Sequence, residues 1–229
     1  MTEPRPPYRF DFDPVAAGYD QWYETAAGQV YDILEKRAVQ RMIAPARAGD
    51  ALLEVGSGTG WWSRFFSALG YRVTGAEISP AMVEIARNKH IPNAKFDVAD
   101  AHRLPFPDHS FAVSAAITAI EFTREPQVTI REMARCTKRD GQLILGVLND
   151  AAPINRQRKA QATGPFAAAR FFTIDEVHTL LAPFGATTIV PAAFPLSMRL
   201  PVALTGPADD LQRLFRVQTS AFLAAKVQR

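Results

Sequence analysis

The stretch ALLEVGSGTGWWSRFF, residues 51–66, decides the fold of this chain. Residues 51–55 form a short, mostly apolar run, as expected of a buried parallel strand. The glycines of residues 56–60 let the backbone turn sharply and let a ligand approach without a Cβ in the way. Aromatic and aliphatic residues then recur at helical spacing, at Trp62, Phe65, Phe66 and Leu69. This order predicts a ligand-binding turn at the carboxyl end of a first parallel strand.

An acidic residue lies at a suitable distance from that turn. Glu77 directly follows the second predicted strand, residues 71–76, and lies about twenty residues after the glycines. A carboxylate in this position suits the two hydroxyls of a ribose, because its oxygens accept both hydrogen bonds. A dinucleotide fingerprint would need a third glycine at position 61, where this chain has Trp61. The spacing therefore counts against a nicotinamide or flavin oxidoreductase.

Strand and helix patterns alternate along the rest of the chain. Seven strands are predicted, at residues 51–55, 71–76, 94–98, 111–117, 142–148, 187–190 and 221–227. Between them, Ser79-Pro80 begins one helix, residues 126–137 form another, and Thr173 with Glu176 predicts a capping box. A turn is expected at residues 139–141. The alternation implies right-handed crossovers and a mostly parallel sheet.

The motifs together resemble those of the class I S-adenosylmethionine-dependent methyltransferases. The matching stretches are EVGSGTG (54–60), GAEIS (75–79), FDVADA (96–101) and LPFPDHSF (104–111), in that order. Within this family the chain is similar to the branch of ubiquinone and menaquinone C-methyltransferases (methyltransferase type 11). The resemblance implies an α/β fold: a Rossmann-like, seven-stranded, mostly parallel sheet with helices on both faces and an N-terminal helical lid. One departure is Ala112, where the family often has an aspartate.

The resemblance also implies an enzyme, its cofactor and its site. The cofactor would be S-adenosyl-L-methionine, converted to S-adenosyl-L-homocysteine as its methyl passes to a small-molecule acceptor. In the family, the residue matching Asp100 holds the adenine amino group, the backbone at Ala101 adds a contact, and residues 56–58 cradle the methionine part. The whole predicted set is Glu54, Gly56, Ser57, Gly58, Thr59, Gly60, Trp61, Glu77, Ile78, Asp100, Ala101 and Ile117. For Thr59, capping of the next helix is an alternative to cofactor contact.

Two residues are candidates for the methyl-transfer step itself. Tyr19 lies in residues 12–23, which resemble the helical lid of such enzymes, and either closes over the sulfonium or packs the lid on the sheet. Glu121 follows the fourth strand and is a candidate base or orienting group, the alternative being the start of the next helix. No general base is obligatory, since methyl transfer needs one only when the acceptor must lose a proton.

A single domain is expected for residues 1–229. We divide it into an arm and lid helices (1–44), a cofactor-binding core (45–148), and substrate-side insertions with the last strands (149–229). Residues 1–13 are proline-rich and predict an extended, mobile arm. The alternation of strands and helices is interrupted at residues 149–170 and 194–219, which are candidate substrate-facing insertions. The basic run 155–159 is interpreted as a solvated helix face, with contact to an anionic acceptor or RNA as the alternative.

Composition narrows the class of protein. Hydrophobic residues make up 48% and charged residues 21%, with a net charge of +3, which is ordinary for a globular enzyme and weak as a nucleic-acid footprint. We expect no membrane span and no signal peptide, because no apolar run is long enough. The single cysteine, Cys136, predicts an inert packed thiol and a cytoplasmic location. No histidine pair has metal-ligand spacing, so no metal is expected.

Two alternatives to a small-molecule methyltransferase stay open. One is an RNA-directed methyltransferase of the same fold, suggested by the excess of basic over acidic residues. The other is a protein that binds S-adenosylmethionine without catalysis. The identity of the acceptor and the oligomeric state are not encoded in any motif of this sequence.

Overall fold

The computed structural model describes residues 8–214 and 219–229 of the chain. Their central element is one sheet of seven strands. The strands are β1 (Ala51–Val55), β2 (Arg72–Glu77), β3 (Ala94–Val98), β4 (Phe111–Ile117), β5 (Thr137–Leu148), β6 (Thr187–Ala192) and β7 (Phe222–Gln228). All seven predicted strands are present, within a few residues of their expected bounds.

Helices connect and cover these strands. The α-helices of the described residues are α1 (Gln21–Glu24), α2 (Ala26–Gln40), α3 (Trp61–Ala68), α4 (Pro80–Asn88), α5 (Pro126–Cys136), α6 (Pro153–Lys159), α7 (Pro165–Ala168), α8 (Ile174–Leu181) and α9 (Val202–Leu214). Short 3₁₀ helices occupy Asp13–Gly18, Ile120–Phe122, Ala182–Phe184 and Ser197–Arg199. The predicted helical start of the chain is thus divided into a 3₁₀ turn, α1 and α2, which together form the N-terminal lid.

The sheet has the strand order β3-β2-β1-β4-β5-β7-β6. The first five strands in this order pair in parallel, whereas β7 runs antiparallel to both β5 and β6. The direction in which the chain progresses across the sheet reverses between β1 and β4. In open α/β sheets, ligands bind at the carboxyl ends of the strands beside such a reversal. The observed topology confirms the predicted fold class, and the general rule predicts a ligand site after β1 and β4.

The sheet is buried on both faces because successive side chains of a strand point in opposite directions. Leu52 of β1 joins the core cluster formed with α2 and α3, and the next residue, Leu53, joins the cluster formed with α5 and α8. Trp62 and Phe66 of α3 are buried, as their spacing predicts. Helices therefore cover both faces and fix the carboxyl edge of the sheet.

Two predicted helix starts are confirmed. The Ser79 hydroxyl accepts a hydrogen bond from the backbone N–H of Met82 at 3.1 Å and caps α4. Thr173 and Glu176 form the predicted capping box at the start of α8. In both cases a side chain satisfies a backbone group that the first helical turn leaves unpaired.

The predicted turn at residues 139–141 is wrong. This segment is an irregular part of β5, which begins at Thr137 and pairs with Phe111 before the register shifts. The Thr137 hydroxyl donates to the carbonyl of Met133 and lies 2.7 Å from the Ser114 hydroxyl of β4. These contacts hold the chain beside β4 directly after α5, so the glycine-containing segment becomes a bulge instead of a reversal.

In the second predicted insertion, residues 194–219, the described residues 194–214 pack on α2 and line neither cavity. Its helix, α9, packs against α2, where Asp210 forms ion pairs with Arg37 and Arg41 of that helix. The buried carboxylate of Asp209 accepts from the backbone N–H of Phe194 and from the Ser197 hydroxyl, which fixes the loop before α9. None of residues 194–214 lines a cavity at the strand ends. Residues 202–214 form a helix that packs on α2, so a substrate-facing role for this insertion stays a prediction.

Among the residues that the structure describes, every helix is too short or too polar to cross a bilayer.

Candidate functional site

Two of the three glycines after β1 are required by packing. Gly56 has a φ of +72°, and a Cβ built there would lie 2.4 Å from the Cβ of Ala119 in the loop after β4. Gly60 has a φ of +81°, and its Cβ would lie 2.9 Å from Ile91 and 3.0 Å from Phe96. A Cβ at Gly56 would clash with the fixed Cβ of Ala119, and a Cβ at Gly60 would require the ends of the Ile91 and Phe96 side chains to shift.

Gly58 differs from its neighbours because it faces open space. Its φ is +50°, yet no atom lies within 4 Å of a Cβ built there. Its backbone N–H points to the Glu77 carboxylate, with 2.9 Å between the nitrogen and Oε2. The position therefore leaves room for a ligand against bare backbone, as the sequence predicts.

Glu77 closes the end of β2 beside this turn. The side chain is buried, and its second oxygen accepts from the backbone N–H of Ser79 at 3.0 Å. Burial raises the pKa of the Glu77 carboxyl, and the backbone N–H groups of Ser79 and Gly58 oppose that shift. The carboxyl is therefore held in one orientation at the edge of the cavity.

We call the space over these strand ends the strand-end cavity. It is lined by residues after β1, β2, β3 and β4 and by the N-terminal arm. Its lining residues are Tyr8, Phe10, Phe12, Tyr19, Val55, Gly56, Gly58, Ala76, Glu77, Ile78, Met82, Ala99, Ala101, Thr118, Ala119, Ile120, Phe122, Thr123 and Thr129. Gly56, Gly58, Glu77, Ile78, Ala101 and Tyr19 of the predicted site meet here.

The arm over this cavity is tied down, contrary to the expectation that it is mobile. Arg9 donates its backbone N–H to the carbonyl of Phe122 at 2.7 Å, and Tyr8 forms a β-bridge with Thr123. The Asp13 carboxylate accepts hydrogen bonds from the Ser79 hydroxyl and from a backbone N–H of α4. Residues 8–13 therefore form a strap across the carboxyl ends of β2 and β4; residues 1–7 lie outside the described part of the chain.

A second space, the helix-side cavity, lies next to the first. It is lined by Phe12, Tyr19, Trp22, Tyr23, Tyr31, Glu35, Thr118, Phe122, Leu148, Arg158, Pro165 and Phe166. Four residues line both cavities, namely Phe12, Tyr19, Thr118 and Phe122. The two spaces therefore meet at a common wall that is mainly aromatic.

Thr118 and Tyr19 are the polar residues of this common wall. Thr118 has a φ of +46°, which costs a β-branched residue about 1–3 kcal/mol and persists only where the surroundings enforce it. Its backbone N–H donates to the carbonyl of Gly146 at 2.7 Å, which holds it beside β5. Burial raises the pKa of the Tyr19 hydroxyl to about 12, so this group stays protonated at neutral pH. The wall thus offers two hydroxyl groups and no charge.

Glu35 and Arg158 are the charged residues of the helix-side cavity, and neither belongs to the site predicted from the sequence. Arg158 lies in the run 155–159, which was interpreted as a solvated face; that interpretation is wrong for Asn155 and Arg158, both of which are buried. The signal for Glu35 was its place on the apolar side of α2, four residues after the buried Tyr31. No signal in the sequence indicated that α6 would return to α2.

Several predicted cofactor residues line neither cavity and have partners of their own. Thr59 donates its hydroxyl to Asp20 of the lid at 2.6 Å, so it neither caps α3 nor faces the strand-end cavity. Trp61 stacks on Tyr23 with 4.2 Å between ring centroids and donates to Asp32 at 2.6 Å. Both residues fasten the lid to the glycine turn, and contact with the cofactor stays a prediction.

The other predicted cofactor residues outside the lining are mostly buried. Glu54 pairs with the Ser63 hydroxyl, and burial raises the pKa of this carboxyl to about 8. Ser57 and Ile117 are also buried, the latter in the core around β4. Asp100 is partly exposed next to the lining residue Ala101 and accepts from the backbone N–H of His102 at 2.8 Å. Of this group, only Asp100 is exposed beside the strand-end cavity.

Glu121 lies beneath the site and not in it. The carboxyl is fully buried, accepts from the backbone N–H of Leu148 at 2.8 Å, and lines neither cavity. Burial raises its pKa to about 8. Its backbone carbonyl accepts from Arg170 at 2.9 Å, so the residue joins three segments of chain. A catalytic role for Glu121 stays a prediction, and this position favours support of the loop.

The site suits an adenosyl cofactor. Open space at Gly58, a fixed carboxyl at Glu77 and backbone at Ala101 lie around one cavity, as binding of adenosine and a methionine tail requires. In residues 8–214 and 219–229, no three His, Cys, Asp or Glu side chains are grouped to hold a metal ion. The residues present therefore fit the implied S-adenosylmethionine.

Comparison with known sequences agrees with this geometry. A family model described as a methyltransferase domain matches residues 53–145. An uncharacterized protein of Methanocaldococcus jannaschii is 30% identical over 176 residues, which are 76% of this chain and 80% of that protein. The ubiquinone/menaquinone biosynthesis C-methyltransferase of Stutzerimonas stutzeri is 29% identical over 153 residues, 63% of this chain and 58% of that enzyme. The chain thus spans little more than half the length of this named relative.

A solved structure shows the same fold. A SAM-dependent methyltransferase of Thermotoga maritima, described as a possible histamine N-methyltransferase, has a TM-score of 0.75 at 23% identity. The superposition covers 95% of this chain and 97% of that one. From the motifs, the cavity at the strand ends and these matches, the chain belongs to the S-adenosylmethionine-dependent methyltransferases.

Proposed function

We propose that this chain transfers a methyl group from S-adenosylmethionine to a small organic acceptor. The observation that carries the proposal is the contact between two cavities at Phe12, Tyr19, Thr118 and Phe122. When bound, the cofactor supplies an electrophilic methyl group on a positively charged sulfur. The strand-end cavity would hold this cofactor, and the helix-side cavity would hold the acceptor.

The roles proposed for the cofactor residues follow from their positions. Gly56 and Gly58 present bare backbone to the methionine part, and the Glu77 carboxyl accepts hydrogen bonds from the ribose hydroxyls. Ile78 and Ala101 line the space for the adenine, with Asp100 at its edge. The main contribution of the protein is alignment, because fixing two reactants in line removes about 7–11 kcal/mol of the barrier in favourable cases.

Tyr19 is proposed to act at the boundary between the two ligands. Its hydroxyl is protonated at neutral pH and can donate a hydrogen bond to the acceptor, so it orients the acceptor and does not serve as a base. The surrounding aromatic faces favour a positively charged sulfonium. Tyr19→Phe should therefore lower kcat more than it changes cofactor affinity.

A small acceptor is favoured over a macromolecule because the helix-side cavity is a pocket walled by three segments of the chain. Its walls come from the lid, from the loop after β4 and from the 149–170 insertion, which contributes Arg158, Pro165 and Phe166. This supports dividing the chain into a lid (1–44), a cofactor core (45–148) and an acceptor-side segment (149–229). We also propose a cytoplasmic location, since the single cysteine, Cys136, is a free and buried thiol.

Isothermal titration tests cofactor binding. Wild-type protein should bind S-adenosylmethionine, and Glu77→Ala should weaken binding about tenfold or more, because hydrogen bonds to a charged group contribute about 1.5–3 kcal/mol. Glu84→Gln, on the exposed face of α4, is the matched control and should bind as the wild type does. Folded protein that does not bind, or equal binding by Glu77→Ala, would refute the proposal.

Turnover separates an enzyme from a binding protein. Formation of S-adenosylhomocysteine is measured with thiols, phenols, amines and quinols, and at least one class should be methylated. Binding without turnover across the panel would favour the non-catalytic alternative. Retention of RNA in a gel shift at physiological salt would favour the RNA-directed alternative, because weak electrostatic binding is lost under that condition.

A further inference from the structure

The helix-side cavity contains a buried glutamate and a buried arginine, neither of which has a role in the methyl-transfer step proposed above. Glu35 of α2 is 7% exposed and Arg158 of α6 is 8% exposed, and both line the cavity. Charged side chains are seldom buried unless they are paired. This arrangement indicates that a ligand completes the site.

Arg158 is held rigidly without a carboxylate partner. Its guanidinium lies 4.8 Å from the ring centre of Tyr31 and 4.9 Å from that of Phe166. One nitrogen donates to Asn155 Oδ1 at 3.0 Å, and the Asn155 amide is itself fixed by two backbone carbonyls. Among residues 8–214 and 219–229, no carboxylate lies within 4.0 Å of the guanidinium. The planar cation is thus positioned and keeps donors for another molecule.

Glu35 contributes a carboxyl group that forms no hydrogen bond to any residue of the described chain. Burial raises its pKa to about 8, an effect that the Arg158 charge opposes and that Asp32 and Glu121 reinforce. Tyr19, Tyr23 and Tyr31 also line the cavity, and burial raises the pKa of each hydroxyl. At pH 7 the Glu35 carboxyl is therefore mostly protonated and can donate a hydrogen bond.

The charges around the cavity add up to a positive environment at pH 7. Lys36 and Asp32 form an ion pair at 2.7 Å and cancel each other. Glu121, like Glu35, is held mostly neutral by burial. Arg158 is then the uncompensated charge, so a cationic acceptor is repelled and an anionic oxygen is attracted. The flat side chains of Trp22, Tyr31 and Phe166 suit a planar apolar body.

We propose that the helix-side cavity selects an acceptor with an anionic oxygen on a planar apolar body, and that Arg158 and Glu35 hold this oxygen. The inference rests on the proposed function and specifies its acceptor class: aromatic or conjugated acids and ionised phenols, as opposed to amines. Arg158 donates to the oxygen from its planar fork, and Glu35 donates from its protonated carboxyl. The aromatic residues enclose the ring.

Three ligands with one ring system test this selection. Binding of 2-naphthoate, 2-naphthol and 2-naphthylmethylamine is measured by calorimetry on the full chain saturated with S-adenosylhomocysteine. Naphthoate should bind at least tenfold more tightly than the amine. The affinity for naphthol at pH 7 should lie between those for naphthoate and for the amine, which separates phenols from acids. Titration with S-adenosylhomocysteine alone is a separate measurement, so failure of the cofactor site is distinguished from failure of the acceptor site.

Arg158→Gln should lose about tenfold or more of the naphthoate affinity and keep its affinity for S-adenosylhomocysteine. Arg156→Gln, on the exposed face of the same helix, is the matched control and should behave as wild type. Amine binding as tight as naphthoate binding, unchanged naphthoate affinity in Arg158→Gln, or no binding of the three ligands to cofactor-loaded protein would overturn the inference.

A second variant keeps the test valid should Arg158→Gln not fold. Glu35→Gln retains a hydrogen-bond donor but cannot ionise. Between pH 7 and pH 9, wild-type affinity for naphthoate should fall as both Glu35 and Glu121 become charged, whereas the affinity of Glu35→Gln should fall less, because only Glu121 then ionises. The same decline in both proteins, or in neither, would contradict the role given to Glu35.

Discussion

Adding one methyl group at Gly58 should weaken cofactor binding and lower stability only by the backbone cost of its left-handed conformation. In Gly58→Ala the left-handed backbone, with φ of +50°, costs about 1–2 kcal/mol in free energy of unfolding. No clash adds to this cost, because no atom lies within 4 Å of the new Cβ. The Cβ instead occupies space that we assign to the cofactor, and overpacking of this kind costs about 1–3 kcal/mol. The dissociation constant of S-adenosylmethionine should therefore rise roughly 5- to 150-fold.

Two other glycines supply the controls for Gly58→Ala. Gly49 has a φ of +85° and also has open space around a built Cβ, but it lies in the turn before β1. Gly49→Ala should show a similar loss in urea unfolding and unchanged affinity in calorimetry. Gly60→Ala should lose about 1–3 kcal/mol more stability than Gly49→Ala, since its Cβ meets Ile91 and Phe96. Equal cofactor affinity of Gly58→Ala and Gly49→Ala would refute the reasoning.

Three further predictions concern stability, the strap and the cysteine. Burial raises the pKa of Glu121 from 4.5 to about 8, so the folded state binds this proton more tightly than the unfolded chain. Its contribution to stability is lost as pH rises from about 4.5 to about 8, by at most about 1.4 kcal/mol per pH unit. The free energy of unfolding of Glu121→Gln, measured in urea at several pH values, should thus fall less with rising pH than that of the wild type. An equal fall in both proteins would contradict this. Asp13→Ala removes the acceptor for the Ser79 hydroxyl, so trypsin should cleave after Arg9 faster and S-adenosylmethionine should dissociate faster in stopped flow; unchanged rates would exclude the strap. Cys136 is buried, which raises its thiol pKa to about 11, so it should react with a disulfide reagent only after unfolding, and rapid reaction in buffer would show otherwise.

Local sequence patterns were sufficient to predict the sheet and the glycine turn. A parallel strand buried on both faces is a continuous apolar run, and residues 51–55 and 111–117 show it without reference to the rest of the chain. Serine before proline at residue 79 begins a helix for reasons that lie within one helical turn. Gly58 and Glu77 were identified in the same way, because the turn chemistry and the strand spacing place both at one edge of the sheet.

Contacts between distant segments decided the rest, and the sequence carries no local record of them. Glu35 and Arg158 are far apart in the sequence and line one cavity because α6 folds back over α2. Residues 139–141 carry a turn pattern, but pairing of Thr137 beside β4 draws them into a strand. Glu121 follows the expected strand, yet its carboxyl turns to the backbone of Leu148. The amino-acid sequence by itself determined where the cofactor edge lies. Only tertiary packing decided which side chains face the acceptor, since burial and charge there depend on which segments come together.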